Sequence, residues 1–364
     1  MSERTAEADR ADHLPRETDR ERGLMGLAER GWLPDGLIRL GIKRLLSQRL
    51  VEEGLSGEDV VHAKTNTLRE RLSRGPIAVK TEHANRQHYE VPAGFYERCL
   101  GHRLKYSGCY WPEGVTTLDQ AEDAALALVG ERAELSDGMD ILELGCGWGS
   151  LTLWMAEHFP GVNITAVSNS ASQRAFILRR ASERGLGNVN IITADINDFS
   201  IAQRFDRVCS IEMFEHMANH RELMCRVADW LKDEGKLFVH VFSHRRFTYL
   251  FEEAGQSNWM GRHFFSGGIM PSHGYLPGFD EHLQCEADWV QNGTHYQKTA
   301  EAWLRNTDAA KGEILPLFEA TYGKASAARW LQRWRIFYMA CAELWGFAGG
   351  TQWGVSHYRF VKAK

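Results

Sequence analysis

The sequence predicts an α/β fold in which a mostly parallel sheet is covered by helices on both faces. Two observations favour this fold: short β-rich stretches alternate with helix-like stretches over residues 140–242, and a glycine cluster follows the first of the β-rich stretches. Regular β-α-β alternation is typical of parallel strands joined by crossover helices. Ligands in such folds bind beyond the carboxyl ends of the strands. We therefore expect a ligand site at the glycine cluster.

The composition is that of an ordinary globular protein. The chain has 364 residues, of which 43% are hydrophobic, 25% charged and 11% aromatic, and its formal net charge is −5. Nucleic acids and anionic lipids attract a basic excess that this chain lacks, so we expect neither as a partner. The longest apolar run, residues 336–342, is far shorter than the roughly 20 residues of a membrane span. We expect no integral membrane segment.

The N-terminus and the cysteines bear on the compartment. Residues 1–22 are mostly charged and lack the apolar core of a secretory signal. The seven cysteines include no CxxC pair, so they predict neither a zinc site nor a disulfide framework. We expect a cytoplasmic protein with reduced thiols, preceded by a disordered tail over residues 1–22.

A helical N-terminal region is predicted over residues 23–115. Apolar residues recur near helical spacing from Trp32 to Leu50, and Pro34 suits a first helical turn. A second helix is predicted over residues 60–74 because Gly75 and Pro76 follow it. These helices would form a cap before the sheet.

The ligand-binding core is predicted over residues 116–242. The capping-box sequence from Thr117 to Gln120 starts its first helix. Further helices are expected over residues 151–159, 171–184 and 219–232. The strands that alternate with them are expected over residues 140–144, 164–168, 189–193, 206–211 and 236–242.

Residues 243–364 form the last predicted unit. The stretch 243–300 is rich in glycine, histidine and aromatic residues, which indicates an insertion that covers the site. Helices are then expected over residues 299–311 and 324–344, followed by a final strand over 355–361.

The glycine cluster, residues 143–149, reads E-L-G-C-G-W-G. Its spacing is GxGxG, and Ser150 stands where a dinucleotide-binding GxGxxG pattern has its third glycine. The second strand ends in Ser168 and Asn169 rather than in the acidic residue that binds a nicotinamide ribose. The pattern therefore favours S-adenosylmethionine, which is cationic and has no pyrophosphate. A tight turn without a ligand is the alternative.

A second cluster lies in the sequence SIEMFEHM, residues 210–217. Glu212, Glu215 and His216 stand at positions i, i+3 and i+4, so a helical turn after the strand would place them on one face. Two carboxylates beside an imidazole shift each other's pKa and accept protons. An alkylamine with a pKa of about 10 is mostly protonated at pH 7, and its methylation requires such a base. Structural ion pairs with a packed histidine are the alternative.

A metal site is not expected near this cluster. His240 and His244 have HxxxH spacing, which brings two metal ligands together on a helix. Residues 236–242 predict a strand instead, on which the two imidazoles need not converge on one ion.

Seven motifs together carry a resemblance to a known family. They are HYEVPAGFY (88–96), LKYSGCYW (104–111), ILELGCGWGSLTLWMAE (141–157), SIEMFEHM (210–217), FVHVFSHRRFTYLFE (238–252), HFFSGGIMPS (263–272) and WRIFYMACAELWGF (334–347). From about Trp32 to the C-terminus, the chain resembles the coclaurine N-methyltransferase-like branch of the methyltransferases related to cyclopropane fatty acid synthases. The resemblance implies a class I, Rossmann-like S-adenosylmethionine-dependent methyltransferase sheet with a helical N-terminal region and a substrate-covering insertion. By analogy it also implies a homodimer.

The same resemblance implies residues that line the cofactor from its methionine part to its adenine. They are Tyr106, Ser107, Gly145, Cys146, Gly147, Ser168, Asn169, Gln173, Asp195 and Ile196. Tyr106 and Ser107 would lie by the methionine part, and the glycine loop would lie beneath the cofactor. Ser168, Asn169 and Gln173 would address the ribose. Asp195 and Ile196 would contact the adenine. For the chemistry, the resemblance implies that Glu215 and His216 hold and deprotonate an amine, with Glu212 assisting.

Three functions stay open. The first is an N-methyltransferase acting on a small aromatic or hydrophobic amine, the second a lipid-modifying enzyme of the cyclopropane-fatty-acyl-phospholipid synthase type, and the third a non-catalytic S-adenosylmethionine-binding protein. Cyclopropane synthases use a bicarbonate base, held partly by a cysteine and a tyrosine. An ungapped comparison places Gly108 and Phe337 at those two positions. This difference favours the N-methyltransferase, and the intact glycine loop and Glu-His pair argue against the third function.

Overall fold

The computed structural model describes residues 23–54, 57–79, 91–251, 259–265 and 267–364. The predicted tail, residues 1–22, lies outside the described residues, and so do parts of three family motifs (residues 88–90, 252 and 266). Among the described residues, four helices lie before residue 116: α1 (Gly23–Glu29), α2 (Asp35–Gly54), α3 (Glu58–Leu72) and α4 (Ala93–Cys99). The helical N-terminus predicted from the sequence is confirmed.

The strands lie close to their predicted positions. In chain order they are β1 (Asp140–Leu144), β2 (Asn163–Ser168), β3 (Val189–Thr193), β4 (Phe205–Ile211), β5 (Leu231–His244), β6 (Tyr249–Leu250), β7 (Ile269–Met270), β8 (Leu283–Asn292) and β9 (Trp353–Lys362). Seven of them form the main sheet in the order β3-β2-β1-β4-β5-β9-β8. The first five pair in parallel, whereas β9 pairs antiparallel with β5 and β8 antiparallel with β9. The predicted mostly parallel α/β sheet is confirmed.

The remaining helices connect and cover these strands. They are α5 (Leu118–Arg132), α6 (Ser150–His158), α7 (Ala171–Glu183), α8 (His220–Trp230), α9 (Trp259–His263), α10 (Thr294–Ala309), α11 (Lys311–Tyr322) and α12 (Lys324–Gly346). The predicted capping box is present, because Thr117 accepts the Gln120 amide and the Gln120 side chain accepts the Thr117 amide. Among the described helices, none is long and apolar enough to cross a membrane.

Two elements differ from the sequence prediction. The predicted insertion extends to residue 300, but residues 283–292 form β8 and complete one edge of the main sheet. The alternating exposure of its side chains is that of a strand with one face covered. Helix α11 is not predicted, and it contains Pro316. The segment that covers the site is therefore shorter than predicted and lies between β5 and β8.

This cover packs on an aromatic core formed with the N-terminal and C-terminal helices. Phe264, which follows α9, stacks on Phe337 of α12 with ring centroids 4.4 Å apart. Glu29 of α1 accepts hydrogen bonds from the Trp259 indole at 2.8 Å and the Arg333 guanidinium at 2.9 Å. Glu29 is buried, and removing one partner of such a buried ionic group is strongly destabilising. The contacts join α1, α9 and α12 above the carboxyl edge of the sheet.

Candidate active site

Strand β1 delivers the glycine loop to the carboxyl edge of the sheet. Gly145, Gly147 and Gly149 have φ angles of 79°, 52° and 81°, a left-handed conformation that favours glycine. A Cβ on Gly145 would lie 2.8 Å from the Met213 Cβ, and one on Gly149 would lie 2.7 Å from Ile177. A Cβ on Gly147 would meet no atom within 4 Å. The loop therefore turns tightly and leaves its middle glycine facing open space.

Two adjoining cavities, of about 180 Å³ and about 100 Å³, lie along this loop. Every site residue that the sequence predicted lines at least one of them. The larger cavity has Tyr106, Ser107, Cys146 and Glu215; the smaller has Ser168, Asn169, Asp195 and Ile196; both share Gly145, Gly147, Gln173, Glu212 and His216. The fold thus collects residues from five separate segments of the sequence around one connected space.

Several polar groups of the smaller cavity are held in place by their neighbours. The Ser168 hydroxyl donates to the Gln173 side-chain oxygen at 2.7 Å and accepts the Ser170 amide at 3.1 Å. The Asp195 carboxylate accepts the Asn197 amide at 2.8 Å. These contacts orient the polar side chains before a ligand binds.

Glu143 is the acidic residue that precedes the glycine loop. Its buried carboxylate accepts a hydrogen bond from the Thr152 hydroxyl at 2.5 Å, which links β1 to α6. Burial raises the pKa of Glu143 to about 7. Because Glu143 lines the larger cavity, a cationic ligand beside it would favour its ionised form.

Three hydrogen-bond donors hold Glu212. One carboxylate oxygen accepts the Gly108 amide at 2.8 Å and lies 3.2 Å from His240 Nε2. The other oxygen accepts the Tyr296 hydroxyl at 2.8 Å. Burial raises the pKa of Glu212, and the nearby positive charge of Lys105 opposes that rise. Glu212 is therefore a buried carboxylate equipped to carry negative charge.

Glu215 has the opposite environment. Its side chain is fully buried, and neither carboxylate oxygen has a hydrogen-bond partner among the described residues. Burial and the neighbouring charge of Glu212 raise the pKa of Glu215 well above its usual range. Two carboxylates with such different surroundings divide the roles of proton carrier and anion between them.

The backbone places these carboxylates differently from the sequence prediction. Glu212 follows β4 with a φ of 46°, and a short 3₁₀ turn over Phe214–His216 follows, instead of the predicted α-helical turn. All three predicted side chains nevertheless line the same cavity.

An aromatic wall faces the Glu-His cluster. The His216 ring lies 4.4 Å from the ring of Phe265, which contacts Phe242 at 5.4 Å and Phe251 at 4.7 Å. Phe265 and Phe251 belong to the cover between β5 and β8. Ring faces of this kind attract an organic cation, and buried carboxylates accept its protons. The arrangement suits a cationic, apolar ligand.

Sequence reasoning missed two polar residues of the site. Lys105 is buried, and its ammonium donates to the Ser107 hydroxyl at 2.6 Å and to the Gly108 carbonyl at 2.7 Å. Tyr296, counted in the sequence only as part of the aromatic cover, donates to Glu212. The role of Tyr296 has no local signal, because Glu212 lies on another segment. Lys105 lies beside its partners within the motif of residues 104–111, so that motif could have signalled it.

The two histidines considered as metal ligands are engaged in hydrogen bonds. His240 contacts Glu212 through Nε2. His244 Nδ1 accepts the backbone amides of Arg246 and Phe247 at 2.9 and 2.8 Å. Both rings thus serve contacts within the protein.

Comparison with known proteins decides the family. The mycolic acid cyclopropane synthetase family matches residues 78–347. The (S)-coclaurine N-methyltransferase of Thalictrum flavum subsp. glaucum is 35% identical over 343 residues, which cover 93% of this chain and 95% of that protein. The chain belongs to the mycolic acid cyclopropane synthetase family, in its coclaurine N-methyltransferase-like branch. The pavine N-methyltransferase of the same plant is 31% identical to the present chain. The match covers 92% of the present chain and 95% of that relative.

A solved structure is similar over nearly the whole chain. It is coclaurine N-methyltransferase bound to N-methylheliamine and SAH, with a TM-score of 0.90, 35% identity, and coverage of 93% of this chain and 99% of that one. The present protein is an enzyme, an S-adenosylmethionine-dependent methyltransferase. Its own residues fit this cofactor, because Gly147 leaves open space where the two cavities meet.

Proposed function

We propose that this methyltransferase transfers a methyl group to the nitrogen of a small aromatic or hydrophobic amine. Glu215 and His216 hold and deprotonate the amine, and Glu212 assists. The observation that carries the proposal is the unpartnered, buried carboxylate of Glu215 in a cavity with an aromatic wall. An ammonium group would supply the charge and the donors that Glu215 lacks.

S-adenosylmethionine, when bound, supplies an electrophilic methyl group on a sulfonium. In this proposal Tyr106 and Ser107 contact the methionine part, and the backbone of Gly145, Cys146 and Gly147 passes beneath it. The remaining residues follow the nucleoside toward the smaller cavity: Ser168, Asn169 and Gln173 at the ribose, and Asp195 and Ile196 at the adenine. Support for this order comes from the distribution of these residues between the two cavities.

The base must first bind a cation and then take its proton. An arriving ammonium lowers the pKa of Glu215, which releases its own proton to water and forms an ion pair. The amine proton then moves to the Glu215–His216 pair, and the nitrogen lone pair becomes nucleophilic. His216 lines both cavities, so it lies between the amine and the cofactor. Holding the nitrogen in line with the methyl carbon supplies the rest of the acceleration.

Glu212 assists as the permanent anion of the pair. Its three hydrogen bonds and the charge of Lys105 favour the ionised form. The negative charge attracts the ammonium into the cavity, and it raises the basicity of the neighbouring Glu215. A more basic Glu215 takes the amine proton more readily.

Modification of a lipid acyl chain is the alternative function, and the match to the cyclopropane synthetase family supports it. A Cβ on Gly108 would lie 2.9 Å from the Tyr296 ring, and Phe337 stacks on Phe264. Neither position offers a hydroxyl or thiol to a bicarbonate ion. The Gly108 amide and the Tyr296 hydroxyl already donate to Glu212. A bicarbonate ion there would lose its hydration without gaining these hydrogen bonds, and the Glu212 carboxylate would repel it. A non-catalytic role is less well supported, since the base and the glycine loop share one space.

A panel of amines with labelled cofactor tests the proposal, read by mass spectrometry of the products. A methylated aromatic or hydrophobic amine is the expected product. Modified acyl chains without any amine product would favour the lipid enzyme, and cofactor binding without turnover would favour the non-catalytic protein. The homodimer, the cytoplasmic location and the domain boundaries at residues 22, 115 and 242 stay predictions.

A further inference from the structure

A hydrogen-bonded chain joins Arg132 to Glu212 through two buried histidines. The Arg132 guanidinium lies 2.8 Å from His357 Nδ1, and His357 Nε2 lies 2.9 Å from His240 Nδ1. His240 Nε2 then lies 3.2 Å from the Glu212 carboxylate. The two histidines face each other across β5 and β9 and are 2% and 1% exposed. Strand pairing therefore builds the chain into the middle of the sheet.

The hydrogen bonds from Arg132 to Glu212 can run in only one direction. A guanidinium has five donors and no acceptor, so His357 Nδ1 must accept from Arg132. A neutral His357 then carries its proton on Nε2 and donates to His240 Nδ1. His240 in turn carries its proton on Nε2 and donates to Glu212. The arginine at one end thus sets the tautomer of both rings and the polarity of all three bonds.

We infer that Arg132 and His357 are positioning residues of this methyltransferase. They hold His240 as the tautomer that donates to Glu212 and thereby keep that carboxylate ionised and oriented. For its effect on turnover the inference rests on the proposed amine methylation; the tautomers themselves do not depend on it.

The surroundings favour neutral rings. Burial lowers the pKa of both His240 and His357 well below their usual range, and the positive charges of Lys105 and Arg132 act in the same direction. The side-chain nitrogen of Gln291, which can only donate, lies 3.5 Å from His357 Nε2 and would favour the other tautomer. That contact is longer than the 2.9 Å between the rings, so the ring-to-ring bond dominates.

The chain does not carry the amine proton out of the site. A proton leaving Glu212 along it would need an acceptor at His240 Nε2, which already holds a hydrogen. At the far end Arg132 has no lone pair to accept one. The chain therefore acts on Glu212 by electrostatics and orientation, and the proton leaves through the cavity.

Nitrogen-15 NMR of histidine-labelled protein tests the tautomers directly. Signals are assigned by their loss in His240→Phe and His357→Phe, and the wild type is expected to show both rings neutral and protonated on Nε2. In Arg132→Met, we expect His357 to show a mixture of tautomers. An imidazolium, or a proton on Nδ1 of either ring in the wild type near pH 7.5, would overturn the inference whatever the substrate.

Turnover separates positioning from simple stability. Arg132→Met is expected to lower kcat about 10–100-fold, the range found when a residue that orients a histidine ligand of a metal site is removed, and to leave S-adenosylmethionine affinity nearly unchanged. Arg132→Lys, which keeps a charged donor, should recover part of the rate. Arg184→Met is the control, because Arg184 is also a half-buried arginine that donates to one side chain, Glu157, but it lies outside the hydrogen-bonded chain and lines neither cavity.

The two kinds of failure are distinguishable. Equal kcat values in Arg132→Met and Arg184→Met would show that Arg132 acts through stability alone and would overturn the inference. Absence of amine methylation in the wild type would overturn the proposed function, and the NMR result would still decide the tautomers.

Discussion

Glu212 and Glu215 line the same cavity, yet Glu212 accepts three hydrogen bonds and Glu215 accepts none from the described residues. Burial raises the pKa of both carboxylates, and only Glu212 has donors and a nearby ammonium to offset that burial. These surroundings favour the negative charge on Glu212 over a negative charge on Glu215. In the proposed function, an ammonium bound beside Glu215 would offset the burial that raises its pKa.

Glu215→Gln should stabilise the protein above about pH 4.5, the unperturbed value for a glutamate. A raised folded-state pKa means that the folded protein binds this proton more tightly than the unfolded chain, so wild-type stability falls as pH rises from 4.5 toward the folded value. The glutamine variant lacks this loss. Tm measured from pH 4 to 8 should therefore show a gap that grows with pH.

The exposed Glu97→Gln substitution is the control for this measurement, since Glu97 is solvated in both states. A pH-independent difference between wild type and Glu215→Gln would mean that Glu215 is ionised without strain in the folded protein.

Glu215→Gln and His216→Ala should each lower kcat strongly. Removal of a general base commonly lowers the rate about 10²–10⁴-fold, and the glutamine keeps the volume of the lost carboxylate. Affinity for S-adenosylmethionine should change little, because neither side chain is among those proposed to contact the cofactor. Rates and pH profiles with an accepted amine measure the first effect, and calorimetry the second. Wild-type rates near pH 7 in both variants would refute the base assignment.

Gly147→Val should abolish cofactor binding in a folded protein. The new side chain would enter the open space between the two cavities. Gly185→Val is matched, because Gly185 also has a positive φ, 68°, and open space around its Cβ position, but it lines neither cavity. Both variants carry the strain of a side chain at positive φ. If calorimetry found equal S-adenosylmethionine affinity in the two, the loop would not form the site.

Methyl transfer should proceed equally well in carbonate-depleted buffer and with added bicarbonate. The donors that a small anion would need already bind Glu212, and the Tyr296 ring leaves no room for a side chain at Gly108. The assay compares an accepted amine with a lipid that has cis double bonds. Bicarbonate-dependent change of the lipid, with no amine product, would reverse the assignment.

The strands and caps were predictable where their signals are local. The limits of β3 follow from five consecutive residues, 189–193, and the capping box follows from Thr117 and Gln120 alone. Strand β8 has an equally local signal, since apolar and polar residues alternate from Leu283 to Trp289. The glycines and aromatic residues around it favoured a loop instead, and only pairing with β9 shows that the alternation belongs to the sheet.

The sequence by itself determined the α/β fold class, the glycine loop and the Glu-His motif, because each depends on residues close together in the chain. The tertiary structure decided the different surroundings of the two glutamates, and with them the direction in which each pKa moves. The donors to Glu212 are Gly108, His240 on β5 and Tyr296 on α10. Arg132 at the end of α5 reaches His240 through His357 on β9. A pKa depends on burial and on the charges and donors within a few ångströms, and folding alone brings those groups together.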